Sequence, residues 1–328
     1  MKYAKFFSIF VAVFFALYGL IGFYFLPLAS FDGSLTRMAK LPESYFGWTR
    51  EQPAINPELM KSADWQEADV LAIGDSFTHA QIWQTVLTER GVRVRTETWG
   101  SIFNICEDIE AWIRSKGFKG KYVIIESAEM YFEDRLAHSV SCKQMNYHPL
   151  AIRFPPPPKT LRDRNGNDYS GRLSVGIQTK LNSIYYEQLR NQTGFISWDS
   201  LGDARLHRVT DGCNLFSHPS CSDVLFYEKD RILDLGDNIL QNMSVINDRL
   251  SGYTTVWVVI PDKGTVYLRP EKKFWDVAEQ RFIAPNVLRA FRQSIENKTI
   301  DLYLGNDTHV STTGYLLLGK VIYQSIYR

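Results

Sequence analysis

The pattern of apolar and polar residues along the chain changes at about residue 31. Residues 6–31 carry no charge and follow Lys2 and Lys5. At about 1.5 Å per residue a helix of this length crosses a lipid bilayer, whereas the apolar part of a cleavable signal peptide is shorter. We therefore predict an uncleaved single-pass anchor over residues 1–31 in the inner membrane. Its lysine-bearing end is expected in the cytoplasm and the rest of the chain in the periplasm.

After the anchor the pattern is first irregular and then alternates between two periods. Residues 32–66 mix glycine, proline, charges and scattered aromatics, which predicts a tether packed loosely on the domain. Over residues 67–328, segments typical of strands alternate with stretches of helical spacing. The five strand segments are 69–73, 92–99, 121–126, 254–260 and 299–304, and in 92–99 apolar and polar residues alternate. This order predicts an α/β domain whose central parallel sheet is covered by helices on both faces.

The alternation is interrupted between about residues 131 and 227. Four consecutive prolines, Pro155–Pro158, and many Asn, Gly and Ser residues exclude one long regular element there. We predict an insertion or cap over the edge of the sheet. Its composition is compatible with a lid and equally with a carbohydrate-binding surface.

Charge and cysteine content narrow the function classes. Lys and Arg total 37 against 36 for Asp and Glu, a net charge of +1, so nothing favours binding to a nucleic-acid backbone.

Cys213 and Cys221 flank a short polar loop that a disulfide would close in an oxidising compartment. Cys106 and Cys142 have no spacing that identifies a partner. No Cys or His spacing indicates a metal site, and no cofactor is expected.

Ser76 lies in the sequence Gly74-Asp75-Ser76-Phe77, where the first predicted strand gives way to a helix. A serine at such a junction can present its hydroxyl above the sheet, and the start of the helix supplies N–H groups for a developing oxyanion. The alternative is that Ser76 merely caps the helix. The motif alone favours neither reading.

A second polar motif favours catalysis. His309 lies between the last predicted strand and the last predicted helix, and Asp307 precedes it by two residues. Histidine can take the proton of a serine hydroxyl, and a nearby carboxylate can fix the tautomer of the ring. We therefore predict a triad of Ser76, His309 and Asp307.

In order and spacing these motifs resemble the SGNH (GDSL-like) hydrolase superfamily. The serine block is near the start, Gly100 follows the second strand, and Asp307 and His309 are near the C-terminus. The resemblance implies a three-layer, flavodoxin-like fold and a serine nucleophile. The chain departs from the superfamily after the third strand, where Glu126-Ser127-Ala128-Glu129 stands in place of a block with an oxyanion asparagine. The oxyanion hole would then use the backbone N–H groups of Ser76 and Gly100.

Three stretches are also similar to the alginate O-acetyltransferases. They are the strand-end pair Glu126 and Glu129, a Pro-x-Lys-x-x-x-Tyr stretch with Lys263 and Tyr267, and Asp-Thr-His at 307–309. In those acetyltransferases the Asp-x-His block precedes the serine, whereas here it follows. The similarity implies an O-acetyltransferase that acts on an exported or cell-surface polysaccharide, with an integral membrane partner as the source of acyl groups.

Each of these residues also has a structural interpretation. Glu126 and Glu129 would orient a sugar or the catalytic groups, or else form a solvated pair. Lys263 and Tyr267 would bind an anionic substrate or brace the active-site loop, or else be a turn lysine and a packed tyrosine. Two functions compete with acyl transfer. One is a carbohydrate esterase or deacetylase with the same triad, and the other is a non-catalytic glycan-binding subunit of an assembly complex.

Overall fold

A computed structural model describes residues 2–26, 32–150, 172–192 and 196–327, with the side chains of residues 198–200 left out. The last part of the predicted anchor, residues 27–31, and the run Pro155–Pro158 lie outside the described residues. The strands are β1 Val70–Gly74, β2 Val94–Thr98, β3 Tyr122–Ala128, β4 Ser197–Leu201, β5 Ala204–Arg208, β6 Asp223–Tyr227 and β7 Thr254–Ile260. The helices are α1 Lys2–Phe25, α2 Ser34–Ala39, α3 Glu43–Phe46, α4 Ser76–His79, α5 Thr85–Thr88, α6 Trp99–Ile102, α7 Ile109–Ser115, α8 Glu129–Ser141, α9 Leu173–Arg190, α10 Asp237–Arg249, α11 Lys263–Leu268, α12 Phe274–Arg281, α13 Val287–Glu296 and α14 Thr312–Ile326.

The central sheet has four parallel strands in the order β2-β1-β3-β7. The strands β1, β3 and β7 are largely apolar because both faces of a parallel sheet are covered, and every residue of β1 is buried. The edge strand β2 carries polar residues and is only partly buried. The register pairs Val70 with both Val94 and Tyr122, and Ala128 with Ile260. The predicted α/β class with a central parallel sheet is confirmed.

The fifth predicted strand, at residues 299–304, is wrong. This segment makes one isolated antiparallel bridge, between Tyr303 and Val310. Lys298 and Asp301 both have positive φ, of 57° and 54°, which an extended strand cannot accommodate. Leu302 and Tyr303 are nevertheless fully buried, and their burial explains the apolar pattern.

Two helices are shorter than the spacing of apolar residues in the sequence predicts. Helical spacing continues from the serine motif to Leu87, but this stretch is divided into α4 and α5. Helical spacing also covers residues 102–113, but α6 ends at Ile102 and α7 begins only at Ile109. Gln81 and Phe103, at the two breaks, have φ of 56° and 58°. A left-handed residue ends the run of helical hydrogen bonds, and neither position carries the glycine that usually marks such an end.

The chain forms two compact units. The first consists of Met1–Thr49, Thr160–Glu228 and Gly305–Thr308, and the second of Arg50–Lys159, Lys229–Leu304 and His309–Arg328. The second unit contains the parallel sheet and the disulfide Cys106–Cys142. The first contains an antiparallel sheet, β4-β5-β6, and the disulfide Cys213–Cys221, which the sequence indicated as possible.

The beginning of the predicted tether belongs to the core of the first unit. Leu35, Leu41 and Phe46 are fully buried and pack with Tyr186 and with apolar residues of β5. Burial of three large side chains fixes this segment, so it is not packed loosely as the mixed composition suggested.

Helix α1 is the one described helix that is long and apolar enough to cross a membrane. Its residues are charge-free after Lys5, and no residue within it is buried by the protein. A helix that is apolar on all sides and exposed on all sides is typical of a segment surrounded by lipid.

Candidate functional site: the turn at Ser76 and its surroundings

Ser76 follows β1 directly and begins α4. Gly74 is required at this turn, because a Cβ there would lie 2.2 Å from both Glu126 Oε2 and Thr78 Oγ1. The cap of α4 is Asp75, whose Oδ1 accepts a hydrogen bond from the N–H of Phe77 at 3.1 Å. The capping role considered for Ser76 is therefore filled by its neighbour. The Ser76 side chain is exposed, and its hydroxyl remains available for another partner.

That partner is His309. Its Nε2 lies 2.8 Å from Ser76 Oγ, which is hydrogen-bonding distance for a base and a nucleophile. The His309 ring packs against Phe77 with 4.8 Å between ring centroids. Val310, the next residue, is buried, and Ser311 caps α14 by accepting a hydrogen bond from the N–H of Gly314 at 3.2 Å. The histidine is thus fixed by core packing and a helix cap on its C-terminal side.

Asp307, the third residue of the predicted triad, belongs to the first unit. Its Oδ2 accepts a hydrogen bond from the N–H of Ser34 at 3.0 Å, and its Oδ1 accepts one from Thr308 Oγ1 at 3.4 Å. The N–H of Thr308 in turn donates to Ser34 Oγ at 3.1 Å. The carboxylate is therefore held at the first turn of α2. Its role toward His309 stays a prediction from the sequence.

Glu43 also holds the segment that contains Asp307, through hydrogen bonds with Asn306 and with residues at the start of α2. Its buried carboxylate accepts hydrogen bonds from the N–H groups of Asp32 and Gly33, each at 2.7 Å, and from Asn306 Nδ2 at 2.7 Å. The hydroxyl of Thr36 also donates to it. The sequence pattern did not single out Glu43, because a lone glutamate in a polar stretch carries no signal of burial.

The side chain of Asp75, the residue before Ser76, connects the turn after β1 to the end of β3 and to α8 within the second unit. Its Oδ2 accepts from the N–H of Ala128 at 2.8 Å and from the guanidinium of Arg135 at 2.7 Å. Arg135 also donates to Ser127 Oγ at 2.6 Å and lies over the ring of Trp99, 5.3 Å from its centroid. Sequence reasoning missed Arg135. The available signal was that an aspartate in a buried turn requires a cation or several donors.

Glu126 is fully buried beneath the same turn, and its Oε2 accepts from the N–H of Asp75 at 2.9 Å. Burial, together with the negative charge of Asp75, raises the pKa of the Glu126 carboxyl well above its usual range. The raised pKa favours the protonated form of this carboxyl. The solvated glutamate pair considered from the sequence is wrong for this residue.

Glu129 is also buried, at the end of β3, and there it forms an ion pair with Lys272. Its Oε2 accepts from the N–H of Asp262 at 2.9 Å, which joins the ends of β3 and β7. Burial raises the pKa of Glu129, and the charge of Lys272 opposes this shift. Glu129 is thus a buried, paired carboxyl. Neither it nor Glu126 is solvated.

Lys263 and Tyr267 contact the backbone shortly before His309. The buried Lys263 ammonium donates to the carbonyl of Leu304 at 2.7 Å, and the Tyr267 hydroxyl accepts from the N–H of Tyr303 at 3.4 Å. Burial raises the pKa of the Tyr267 hydroxyl, so the phenol is neutral. These contacts agree with the bracing role considered from the sequence.

Gly100 is the second residue of α6, which Thr98 caps by accepting from the N–H of Ser101 at 3.2 Å. Trp99, beside it, donates from its indole nitrogen to the carbonyl of Glu126 at 2.8 Å. The start of α6 is thus fixed to β3, and Gly100 itself is exposed. Its part in an oxyanion hole stays a prediction.

Comparisons of the chain with protein-family models, with curated proteins and with solved structures find no match. The chemistry of the site therefore rests on its geometry. An exposed serine hydroxyl lies at the start of a helix, at hydrogen-bonding distance from an imidazole nitrogen. Such a pair can attack an acyl carbon and hold the serine proton during the attack.

Proposed function

We propose that the chain is a serine-dependent acyltransferase of the SGNH kind, which carries an acyl group on Ser76 during each turnover. The observation that supports this most directly is the 2.8 Å distance between His309 Nε2 and Ser76 Oγ. A non-catalytic binding subunit would be favoured by a separation of more than about 4 Å, because proton transfer needs hydrogen-bonding reach.

The proposed reaction has two half-reactions. The Ser76 oxygen attacks the carbonyl carbon of an acyl donor while His309 Nε2 takes the hydroxyl proton, and His309 then gives that proton to the leaving group. An acceptor hydroxyl next loses its proton to His309 and attacks the acyl-serine, which releases the product ester and restores Ser76. The N–H groups of Ser76 and Gly100 would stabilise each oxyanion, and Asp307 would fix the imidazole.

The proposed setting is the periplasmic face of the inner membrane. Helix α1 is long and apolar enough to serve as a single-pass anchor, and the disulfides Cys106–Cys142 and Cys213–Cys221 suit an oxidising compartment. The similarity to alginate O-acetyltransferases favours an acetyl group as cargo, an exported polysaccharide as acceptor and an integral membrane protein as donor. No cofactor enters the proposed reaction.

Hydrolysis is the second candidate, and one observation favours it. Ser76 is exposed, so water can reach an acyl group attached to it. An esterase or deacetylase would use the same serine and histidine and differ only in the acceptor.

The test uses the full chain in detergent micelles with 4-nitrophenyl acetate, and compares wild type with Ser76→Ala and His309→Gln. Ser115→Ala, at an exposed serine in α7, is the matched control. Wild type and the control should show a burst of nitrophenol and an acetyl adduct by intact mass. Ser76→Ala should show neither, and His309→Gln should slow the burst by about 100-fold or more.

Acceptor oligosaccharides then separate the two candidates. Acetylated oligosaccharide as the main product supports transfer, and free acetate at an unchanged rate supports hydrolysis. An adduct that persists in Ser76→Ala, or a folded wild type with no burst, would contradict the assignment of Ser76.

A further inference from the structure

Helix α9 has an inverted distribution of apolar and polar side chains. Its buried positions are Gly176, Thr179, Ser183 and Tyr186. The first three are small residues, and Thr179 and Ser183 also carry a hydroxyl. Four of its large apolar side chains are exposed to between 37% and 57% of their full area. These exposed residues are Ile177, Leu181, Ile184 and Tyr185. At about 100° per residue the two sets lie on opposite faces of the helix.

Hydrogen bonds fix the helix in this orientation. The Tyr186 hydroxyl donates to Asp223 Oδ2 at 3.0 Å, and Asn182 Nδ2 donates to the carbonyl of Ala39 at 2.7 Å. Both bonds lie within the first unit, as α9 itself does. Rotating α9 to bury its apolar face would break both of them and would place Ser183 in contact with water. The exposed apolar stripe is therefore a stable property of the folded unit.

The same helix contacts the end of α1. A Cβ at Gly176 would lie 2.1 Å from the carbonyl oxygen of Phe25, so the two backbones approach closely. Lys180 lies over the ring of Tyr24, with its Nζ 5.3 Å from the centroid. The apolar stripe thus begins beside the end of the helix that is long and apolar enough to cross a membrane.

We propose that the stripe formed by Ile177, Leu181, Ile184 and Tyr185 lies in the lipid surface, as an interfacial helix beside the membrane-spanning helix. An interfacial helix has an apolar face in the acyl-chain boundary and basic residues that bind anionic headgroups. Helix α9 and the residue before it carry Arg172, Lys180 and Arg190 and a single acidic residue. This inference depends on the membrane insertion of α1, and it does not depend on the acyl-transfer chemistry.

The charge and position of the stripe favour lipid over a protein partner. Large apolar side chains at the end of a membrane helix are in reach of the bilayer surface, and binding there strengthens with the apolar area that leaves water. A second copy of the chain would bring the same basic residues together and would gain no complementary charge. Docking on lipid also holds the first unit, with the Asp307 segment, close to the membrane.

The test uses single introduced cysteines in the full chain, reconstituted one chain per nanodisc with anionic lipid. All four native cysteines are paired in disulfides, so each introduced thiol is the only one to react with a polarity-sensitive nitrobenzoxadiazole label. The test positions are Leu181→Cys and Ile184→Cys. Val245→Cys, an exposed apolar position in α10, is the control, and Val13→Cys in α1 reports insertion of the anchor.

Labels at 181 and 184 should emit at shorter wavelength than the label at 245, and nitroxide lipids should quench them. A label at 13 that is quenched while those at 181 and 184 remain in water would overturn the proposal. A blue shift at 181 and 184 without lipid quenching would indicate a protein contact and would overturn it as well. Activity of Ser76 enters none of these measurements, so failure here is distinct from failure of the proposed reaction.

Discussion

Replacing Glu126 with glutamine removes one titratable proton from beneath the turn at residues 74–76 and keeps the shape of the side chain. The amide oxygen can accept the hydrogen bond that Glu126 Oε2 now receives from the N–H of Asp75 at 2.9 Å. Because Glu126 is fully buried beside the negative charge of Asp75, its pKa is raised well above its usual range, and the protonated carboxyl is favoured in the folded protein. In this state glutamine is a close substitute for it.

The pH dependence follows from the proton balance. Above about pH 4.5 the unfolded chain releases the Glu126 proton, whereas the folded protein retains it until the pH reaches the raised pKa. The folded state then binds more protons than the unfolded state, so the wild type loses stability as pH rises. One proton corresponds to a slope of at most about 1.4 kcal/mol per pH unit. Glu126→Gln has no such proton to release. Its free energy of unfolding relative to that of the wild type should therefore increase with pH by at most that slope.

The measurement is urea unfolding of both proteins in micelles between pH 5 and 8, followed by tryptophan fluorescence. Carboxyls that do not contact Glu126 or the turn at residues 74–76 are unchanged by the substitution, so their effects cancel in the difference. Glu107→Gln is the control, because Lys143 lowers the pKa of exposed Glu107 and its substitution should give no gain with rising pH. A Glu126→Gln difference that is constant with pH, or that falls as pH rises, would refute the neutral carboxyl.

Three further substitutions and one control substitution test the contacts described above, each by urea unfolding and by the burst assay. Gly74→Ala places a Cβ 2.2 Å from two neighbouring side-chain oxygens, and should cost about 1–3 kcal/mol and most of the burst. Arg135→Met leaves the Asp75 carboxylate, 7% exposed, without its cation, and should cost about 3–5 kcal/mol. The control is Arg292→Met, at an exposed ion pair with an N–O distance of 4.0 Å, and it should change stability by less than about 0.5 kcal/mol. Equal stability losses for Arg135→Met and Arg292→Met would contradict the pairing of Arg135 with Asp75. Glu43→Ala removes the acceptor of several buried donors and should cost about 3 kcal/mol, whereas a cost under about 1 kcal/mol would contradict its role.

The sheet could be predicted from the sequence because its strands are buried on both faces. The runs 69–73, 121–126 and 254–260 agree with β1, β3 and β7 to within two residues at each end. Burial alone was not sufficient at 299–304, where the side chains are equally apolar but the backbone turns at Lys298 and Asp301. The hydrophobic pattern shows which residues are buried. It predicts an extended backbone only where no residue has a positive φ.

The proximity of Ser76 and His309 could also be predicted, because Ser76 begins α4 and His309 lies shortly before α14. The environment of the carboxyls could not. Glu129 pairs with Lys272, which is 143 residues away in the chain, and Asp75 pairs with Arg135 at a separation of 60. A strand-end glutamate has the same sequence pattern whether solvent or a distant lysine satisfies it. Only the tertiary fold decides between these cases.

The division of roles between Asp75 and Ser76 explains how an acid next to the serine would suit the proposed nucleophile. A helix that starts directly after a strand needs an acceptor for its first N–H groups, and a serine at that point would normally supply it. Asp75 accepts from Phe77 with one oxygen and from Ala128 and Arg135 with the other. Because the aspartate satisfies the helix end and its own charge is paired, the hydroxyl of Ser76 remains free to bond His309. The acid is therefore expected to act through the position of Ser76, without taking part in proton transfer.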